Sequence, residues 1–312
     1  MEHRVPELSL ADYTEGSAAA REKFSRELMQ GLQRYGFIIL RDHPVSAELL
    51  DRAYELSAAF FALDEQVKHR YVGGPRGYAP FRTEHAKDHA AADLKEFWQI
   101  GPERNDGVER GATEPPNIWP AAPAGFKETF LSLYAGLQKT GGIILEALTP
   151  GLELPRDYFV PLIAASNSVL RLLHYPPVPA DVADGSLRSA PHEDINLLTL
   201  LVAAQGPGLE LLDRDGAWLP VTTDRNNLII DSGDMLARLT NDVIPATTHR
   251  VVNPSGPNVS RYSMPFFMHP NDDATLSCLP SCRGSGAKYP DITAGEFLER
   301  RLRDIGLIEP KA

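Results

Sequence analysis

The sequence predicts a mixed α and β molecule: a sandwich or jelly roll of short strands, flanked by helices. Three observations carry that expectation. From residue 166 to about residue 268, short apolar and β-branched runs follow one another, punctuated by Gly206-Pro207-Gly208, Arg214-Asp215-Gly216 and Asp231-Ser232-Gly233. Short strands with frequent turn signals suit a sandwich or jelly roll rather than a parallel sheet. Before residue 150, apolar residues recur instead at helical spacing. Finally, Pro191-His192-Glu193-Asp194-Ile195-Asn196 stands directly before the almost unbroken apolar run Leu197 to Val202.

Taken in order, Val5-Pro6-Glu7-Leu8-Ser9-Leu10 reads as a short entry strand. Residues 17–35 carry Phe24, Leu28, Leu32 and Tyr35 in helical phase, and Gly36 stops that helix. Phe37-Ile38-Ile39-Leu40 is a compact buried strand, and His43 sits in a turn. Ser46 can cap a helix whose aromatic stripe, through Tyr54, Phe60 and Phe61, belongs to the core. Gly73-Gly74-Pro75-Arg76-Gly77-Tyr78 is a loop signal, and residues 104–124 form a surface connection. His85 and His89 are four apart and would share a helical face, but lack a third ligand and read as solvated. A long helix is expected over 125–148, weakened locally by Gly141-Gly142. Ser168 to Tyr175 is a strand with Arg171, Leu173 and Tyr175 on one face, and Pro176 to Arg188 is a long loop expected to face solvent. His269 reads as structural or solvent-facing. Thr293-Ala294-Gly295-Glu296 is a capping box opening a last helix that ends near Gly306.

Composition narrows the function. The 312 residues fit one large β-centred domain, or two small ones, and 43% apolar residues suffice for a sizeable core. A net charge of −11 disfavours nucleic acid and anionic membranes as partners. No apolar run reaches the roughly 18 residues of a membrane span, and Met1 to Tyr13 is too charged for a signal peptide. Cys278 and Cys282, the only cysteines, lack the partners of a zinc site, and two unpaired thiols suit a reducing cytoplasm. Oligomeric state is not legible.

The chemistry lies in three spaced motifs. Residues i and i+2 of a strand share a face, so His192 and Asp194 would project into one space. Imidazole and carboxylate together are two parts of a 2-His-1-carboxylate triad, which leaves metal positions open and suits Fe(II). Thr248-His249-Arg250-Val251-Val252 offers the remaining histidine on another β-branched stretch. Arg261-Tyr262-Ser263 places a guanidinium fork and a hydroxyl on one face, a grip for a carboxylate. Zinc hydrolysis would need a general base beside the metal, and Glu193 should point to the opposite face.

His-x-Asp, a distant His-Arg-Val-Val and then Arg-x-Ser resembles the isopenicillin N synthase-like family of Fe(II)/2-oxoglutarate-dependent oxygenases. Tyr35-Gly36-Phe37, Lys95-Glu96-Phe97, His174-Tyr175-Pro176, Gly208-Leu209-Glu210-Leu211, Trp218-Leu219-Pro220-Val221, Asp231-Ser232-Gly233-Asp234-Met235 and Leu239-Thr240-Asn241 look like that family's other segments in the same order. Glu193 departs from it, where Thr or Ser is frequent. The resemblance implies a double-stranded β-helix (jelly-roll) core. It implies an N-terminal helical and strand region over 1–165, a catalytic core over 166–270 and a C-terminal loop and helix over 271–312, in one structural domain. It implies Fe(II) on His192, Asp194 and His249, with 2-oxoglutarate and O2 as cosubstrates. Arg261 and Ser263 would hold the far carboxylate, with Tyr175 against the oxo acid or a substrate carboxylate. The reaction implied is oxidation of an unactivated C–H bond of a small molecule, most often hydroxylation, with release of succinate and CO2. Tyr78, Arg82, Phe97 and Trp98 fall in the region that borders the substrate pocket in similar oxygenases, and Arg171 is either a cavity residue or a surface ion pair. The substrate expected is small, polar and carboxylate-bearing. Three other readings stay open: an oxidase that does not use 2-oxoglutarate, breakdown of 2-oxoglutarate to ethylene, and a metal-binding jelly roll without turnover.

Overall fold

Strand alternation in this chain serves two cores at once. Ile38 and Leu40 pack into one hydrophobic cluster, whereas Phe37 and Ile39 pack into another. Successive side chains leave a strand on opposite faces, so one sheet separates the two clusters. The computed structural model describes residues 4–84, 92–103, 115–183, 185–204 and 206–304. His85 and His89 lie outside them, as do residues 104–114 and Gly306.

The first half runs β1 (Glu7–Ser9), α1 (Leu10–Thr14), α2 (Ala18–Tyr35), β2 (Phe37–Arg41), α3 (Ala47–Phe61), α4 (Glu65–His69), β3 (Gly77–Ala79), β4 (Glu96–Ile100), α5 (Phe126–Leu148) and α6 (Val160–Ile163). The second half runs β5 (Val169–Tyr175), β6 (Ser189–His192), β7 (Leu198–Val202), β8 (Leu209–Leu212), β9 (Trp218–Pro220), β10 (Leu228–Ser232), α7 (Asp234–Leu239), β11 (His249–Val251), β12 (Arg261–Met268) and α8 (Ala294–Asp304). The large sheet has the order β1-β2-β10-β7-β12-β5-β4-β3, and the small one β6-β11-β8-β9. All neighbours are antiparallel except β1 and β2, which are parallel. This is a jelly roll widened at both edges by strands from the N-terminal half.

Helices α2, α3 and α5 cover the outer face of the large sheet, where Leu28, Phe60, Trp98, Phe130, Leu200 and Phe266 are fully buried. The smaller core lies between the sheets and contains Phe37, Phe97, Leu173, Tyr175, Leu211, Ile229 and Val251. Local chemistry sets the helix ends. Ser17 and Ser46 accept from Ala20 N–H and Leu49 N–H. Thr293 and Glu296 form the reciprocal capping box of α8. Gly36 ends α2 at φ 67°, and its N–H donates to the Leu32 carbonyl. Gly141 does more than weaken α5. A Cβ there would stand 2.5 Å from Met268 Sδ, so the glycine lets the helix close on the sheet.

One expectation fails in the second half. Asp231-Ser232-Gly233 is not a turn between strands. Asp231 and Ser232 belong to β10, and Gly233 opens α7, a helix that the short stretch Met235 to Leu239 did not announce. Cys278 and Cys282 are buried free thiols. Among the described residues, no helix is long and apolar enough to cross a membrane.

Candidate active site

The histidines meet because β6 and β11 are neighbours in the small sheet, with His192 directly opposite His249. Their rings lie 4.4 Å apart. Asp194 arrives differently from the strand model: β6 ends at His192, and Asp194 lies in the loop beyond. The N-terminus of α7 fixes that loop. Gly233, Asp234 and Met235 donate their N–H groups to the carbonyls of Leu197, Asp194 and Asn196. A Cβ on Gly233 would lie 2.3 Å from the Asn196 carbonyl, so only glycine permits this approach. Asp194 Oδ1 then stands 3.8 Å from His192 Nε2 and 3.9 Å from His249 Nε2.

The ligand atoms of His192, Asp194 and His249 lie within 4.8 Å of one another, and among the described residues no other such cluster of His, Cys, Asp or Glu occurs. Each histidine's Nδ1 lies against a carbonyl, Ala190 O at 2.8 Å and Thr247 O at 3.1 Å. Donation there leaves the Nε2 lone pair turned to the centre, as metal ligation requires. Burial, and then the neighbouring His249, push the His192 pKa below its ordinary value, which keeps the ring neutral. The other Asp194 oxygen accepts from the Thr199 hydroxyl. Asp231 Oδ2 lies 3.6 Å from His249 Nδ1, and burial followed by Asp194 raises the Asp231 carboxyl well above the usual range. Glu193 is exposed, accepts from Thr248 Oγ1 and offers no base at the centre.

A cavity of about 70 Å³ between the sheets is lined by the three candidate ligands together with Arg261, Ser263, Tyr175, Lys95 and Arg171. Arg261 faces Tyr175 across the β12–β5 pairing and is 2% exposed. Among the described residues, its Nε and Nη1 have no partner and no carboxylate lies near enough to affect its charge. A buried cation without an anion is costly, so this position is built for a carboxylate brought from outside. Met264, on the other face of β12, is in the larger core. Burial pushes the Tyr175 phenol up, so it remains a hydroxyl donor.

Arg171 belongs to the cavity, not to the surface. Its Nη1 lies 3.0 Å from Glu84, and its Nε and Nη2 donate to Gln99 Oε1 at 3.3 and 2.9 Å. The guanidinium lies 4.2 Å from the Phe97 ring centroid and 5.4 Å from that of Phe267. Lys95 Nζ is 2.9 Å from Glu84 and 2.7 Å from Asp93. Burial would raise the Glu84 carboxyl, but Arg171 and Lys95 outweigh it and hold it near 2.

Other expected pocket residues are elsewhere. Tyr78 is buried in the larger core with its hydroxyl on Glu96, and Trp98 is fully buried beside Phe60. Both lie across the sheet from Phe97, which supports Arg171 from below the cavity lining. Arg82 is exposed at φ 61°, stacked on Phe81, and does not line the cavity. Sequence reasoning missed Lys95, Glu84, Asp93, Thr199 and Asp231. Lys95 had a signal: it stands two residues before Phe97 and so shares its face.

Comparison with known proteins agrees with this geometry. Residues 166–270 match the model of the 2OG-Fe(II) oxygenase superfamily, and residues 5–122 that of the non-haem dioxygenase in morphine synthesis N-terminal region. The chain is 30% identical to the 2-oxoglutarate-Fe(II) type oxidoreductase hxnY of Emericella nidulans, over 94% of this chain and 88% of that one. A crystal structure of a 2OG-Fe(II) oxygenase family protein from Caulobacter crescentus is 43% identical with a TM-score of 0.87, covering 98% of this chain and 100% of that one. A full-length Neurospora crassa protein, crystallised with alpha-KG and thymine, is 30% identical with a TM-score of 0.85 over 96% of each chain.

Proposed function

The chain belongs to the 2OG-Fe(II) oxygenase superfamily, and from that premise we propose that His192, Asp194 and His249 hold its iron while Arg261, Ser263 and Tyr175 hold 2-oxoglutarate. It is an Fe(II)- and 2-oxoglutarate-dependent dioxygenase acting on a small molecule. The observation that carries the residue assignment is the pairing, in one cavity, of a two-histidine, one-carboxylate cluster with a buried guanidinium that, among the described residues, has no carboxylate of its own. The donor set suits Fe(II), and the orphaned Arg261 nitrogens suit the far carboxylate of a 2-oxo acid. Both groups therefore fit the residues present.

Iron and 2-oxoglutarate, when bound, supply the oxidising chemistry: O2 is consumed, succinate and CO2 are released, and a substrate C–H bond is oxidised, in our reading by hydroxylation. The protein's own residues orient and exclude. The carbonyls of Ala190 and Thr247 fix the tautomer and tilt of the histidines, and Thr199 fixes one Asp194 oxygen. Leu173, Leu201, Ile229 and Val251 keep the lining apolar between the polar groups and limit water. Arg171 and Lys95 present N–H donors to the substrate. Because Glu84 and Asp93 already balance those two cations, the wall favours an uncharged polar molecule over the carboxylate first expected. The thymine bound by the Neurospora relative is a molecule of that kind.

The test is stepwise binding without oxygen. Metal-free protein should take up one Fe(II) per chain, then 2-oxoglutarate, with the visible charge-transfer band of a chelated keto acid. His192→Ala and His249→Ala should each lose the metal while keeping the fold by circular dichroism. Full iron uptake by both variants would refute the ligand assignment.

A further inference from the structure

We infer that Arg188 is a second cation of the 2-oxoglutarate pocket, standing behind Arg261 and making the end that receives the far carboxylate doubly positive. The inference rests on the proposed role of Arg261 and extends it to a residue outside the Arg-x-Ser pair.

Arg188 immediately precedes β6, and the next residue, Ser189, lines the cavity. Its guanidinium crosses from the small sheet to the chain that leads into β12, where Nη2 donates to the carbonyl of Val259, two residues before Arg261. Arg188 ends the loop expected to face solvent but is 3% exposed, and its Nε is buried with no partner among the described residues. The Val259 contact sets the Arg188 guanidinium two residues from Arg261 along the chain, and burial, then the charge of Arg261, lower its proton affinity accordingly. Tyr175, a cavity residue, acts on both arginines.

Two buried like charges side by side cost free energy that a fold does not retain without return. Elsewhere in this site the cations are neutralised by the chain itself: Lys95 and Arg171 have Glu84 and Asp93. Among the described residues, no carboxylate acts on Arg188 or Arg261. The anion must therefore come with a ligand. The cosubstrate is a dianion whose far carboxylate has no metal to balance it, and it is the one obligatory anion of the reaction that reaches this end of the pocket. Arg261 would bind that carboxylate directly, and Arg188 would act on it through space, as a positioning residue.

The test compares two oxo acids under anaerobic conditions with Fe(II) bound, by calorimetry. One is 2-oxoglutarate; the other is 2-oxopentanoate, which chelates in the same way but lacks the far carboxylate. Arg188→Gln and Arg188→Met should weaken 2-oxoglutarate roughly ten- to thirtyfold, the scale of one through-space charge interaction at an effective dielectric of about 20. Both should leave 2-oxopentanoate unchanged. Arg188→Lys restores the charge and should return the ratio of the two affinities to within about threefold of wild type. An unchanged ratio overturns the inference, whether neither ligand is affected or both weaken equally; the latter marks Arg188 as a structural tie to Val259. Arg261→Leu runs alongside. If it leaves 2-oxoglutarate binding intact, the anchor assignment fails; if it weakens binding while the neutral Arg188 variants do not, only the present inference fails.

Discussion

Arg261 combines almost complete burial with two guanidinium nitrogens that, among the described residues, have no partner and no carboxylate neighbour. A side chain in that state stabilises little by itself, so its replacement should separate binding from stability. Removing a buried charged partner typically costs about 3–5 kcal/mol, or roughly two to four orders of magnitude in affinity. Arg261→Leu should weaken 2-oxoglutarate by that factor in calorimetry while Fe(II) binding survives, and Arg261→Lys should fall between. A leucine variant that binds 2-oxoglutarate normally but melts lower would make Arg261 a stability residue. At this scale the sequence was informative where a residue's type and its strand parity both spoke. His192, His249, Arg261 and Ser263 are such cases, and all line the cavity. It was uninformative at Tyr78 and Arg82, because the composition of a loop does not say which face its side chains take. Arg82 shows the point: a positive φ turns it outward onto Phe81.

Among the elements, α2, β2, α3, α5, β5 and α8 were legible because each is long, periodic or capped. Helix α7 was not. Six residues are too few for a helical period, and Gly233 signals a turn as readily as a helix start. Its purpose is visible only in three dimensions, where its first N–H groups hold the carbonyls of the Asp194 loop. That is also why Asp194 reaches the cluster without being a strand residue. The turn at Gly36 offers a test of such junctions. Gly36 has φ 67°, and a Cβ would stand 2.2 Å from Thr247 Oγ1, beside the carbonyl that orients His249. Left-handed backbone alone costs a non-glycine residue about 1–2 kcal/mol, and the clash adds to it. Gly36→Ala should therefore destabilise by more than about 2 kcal/mol in urea titration and weaken the metal. Gly216→Ala is the control: φ is 83° but the space around it is open, so only the backbone cost of about 1–2 kcal/mol should appear. Equal losses for both variants would show that Thr247 moves aside freely.

Across the whole molecule, the N-terminal half and the jelly roll are joined by buried charge as well as by sheet. Glu84 and Lys95, from the segment before β4, meet Arg171 on β5; Asp93 accepts from Ala190 N–H on β6. The sequence could not disclose this wall, since ionic partners 87 residues apart, such as Glu84 and Arg171, carry no periodic signal. Its energetics can nevertheless be read from Glu84. The carboxyl falls from an ordinary 4.5 to about 2 in the folded protein: burial opposes ionisation, but Arg171 and Lys95 more than offset it. A folded-state pKa below the unfolded one means that the native state holds its proton less tightly. The resulting stability is therefore fully present above pH 4.5 and is lost as the pH falls toward 2. At about 1.4 kcal/mol per unit, the contribution near neutrality is about 3 kcal/mol. Glu84→Gln removes the charge and keeps the shape. It should be less stable than wild type by about that amount at neutral pH, and the gap should close progressively as denaturant midpoints are compared downward from pH 4.5. The same variant leaves the wall with an uncompensated positive charge, so small anions should protect it against unfolding more than they protect wild type. A gap that stays constant with pH would mean that Glu84 contributes through packing and hydrogen bonds, and that the N-terminal half is held to the jelly roll by its sheet contacts alone.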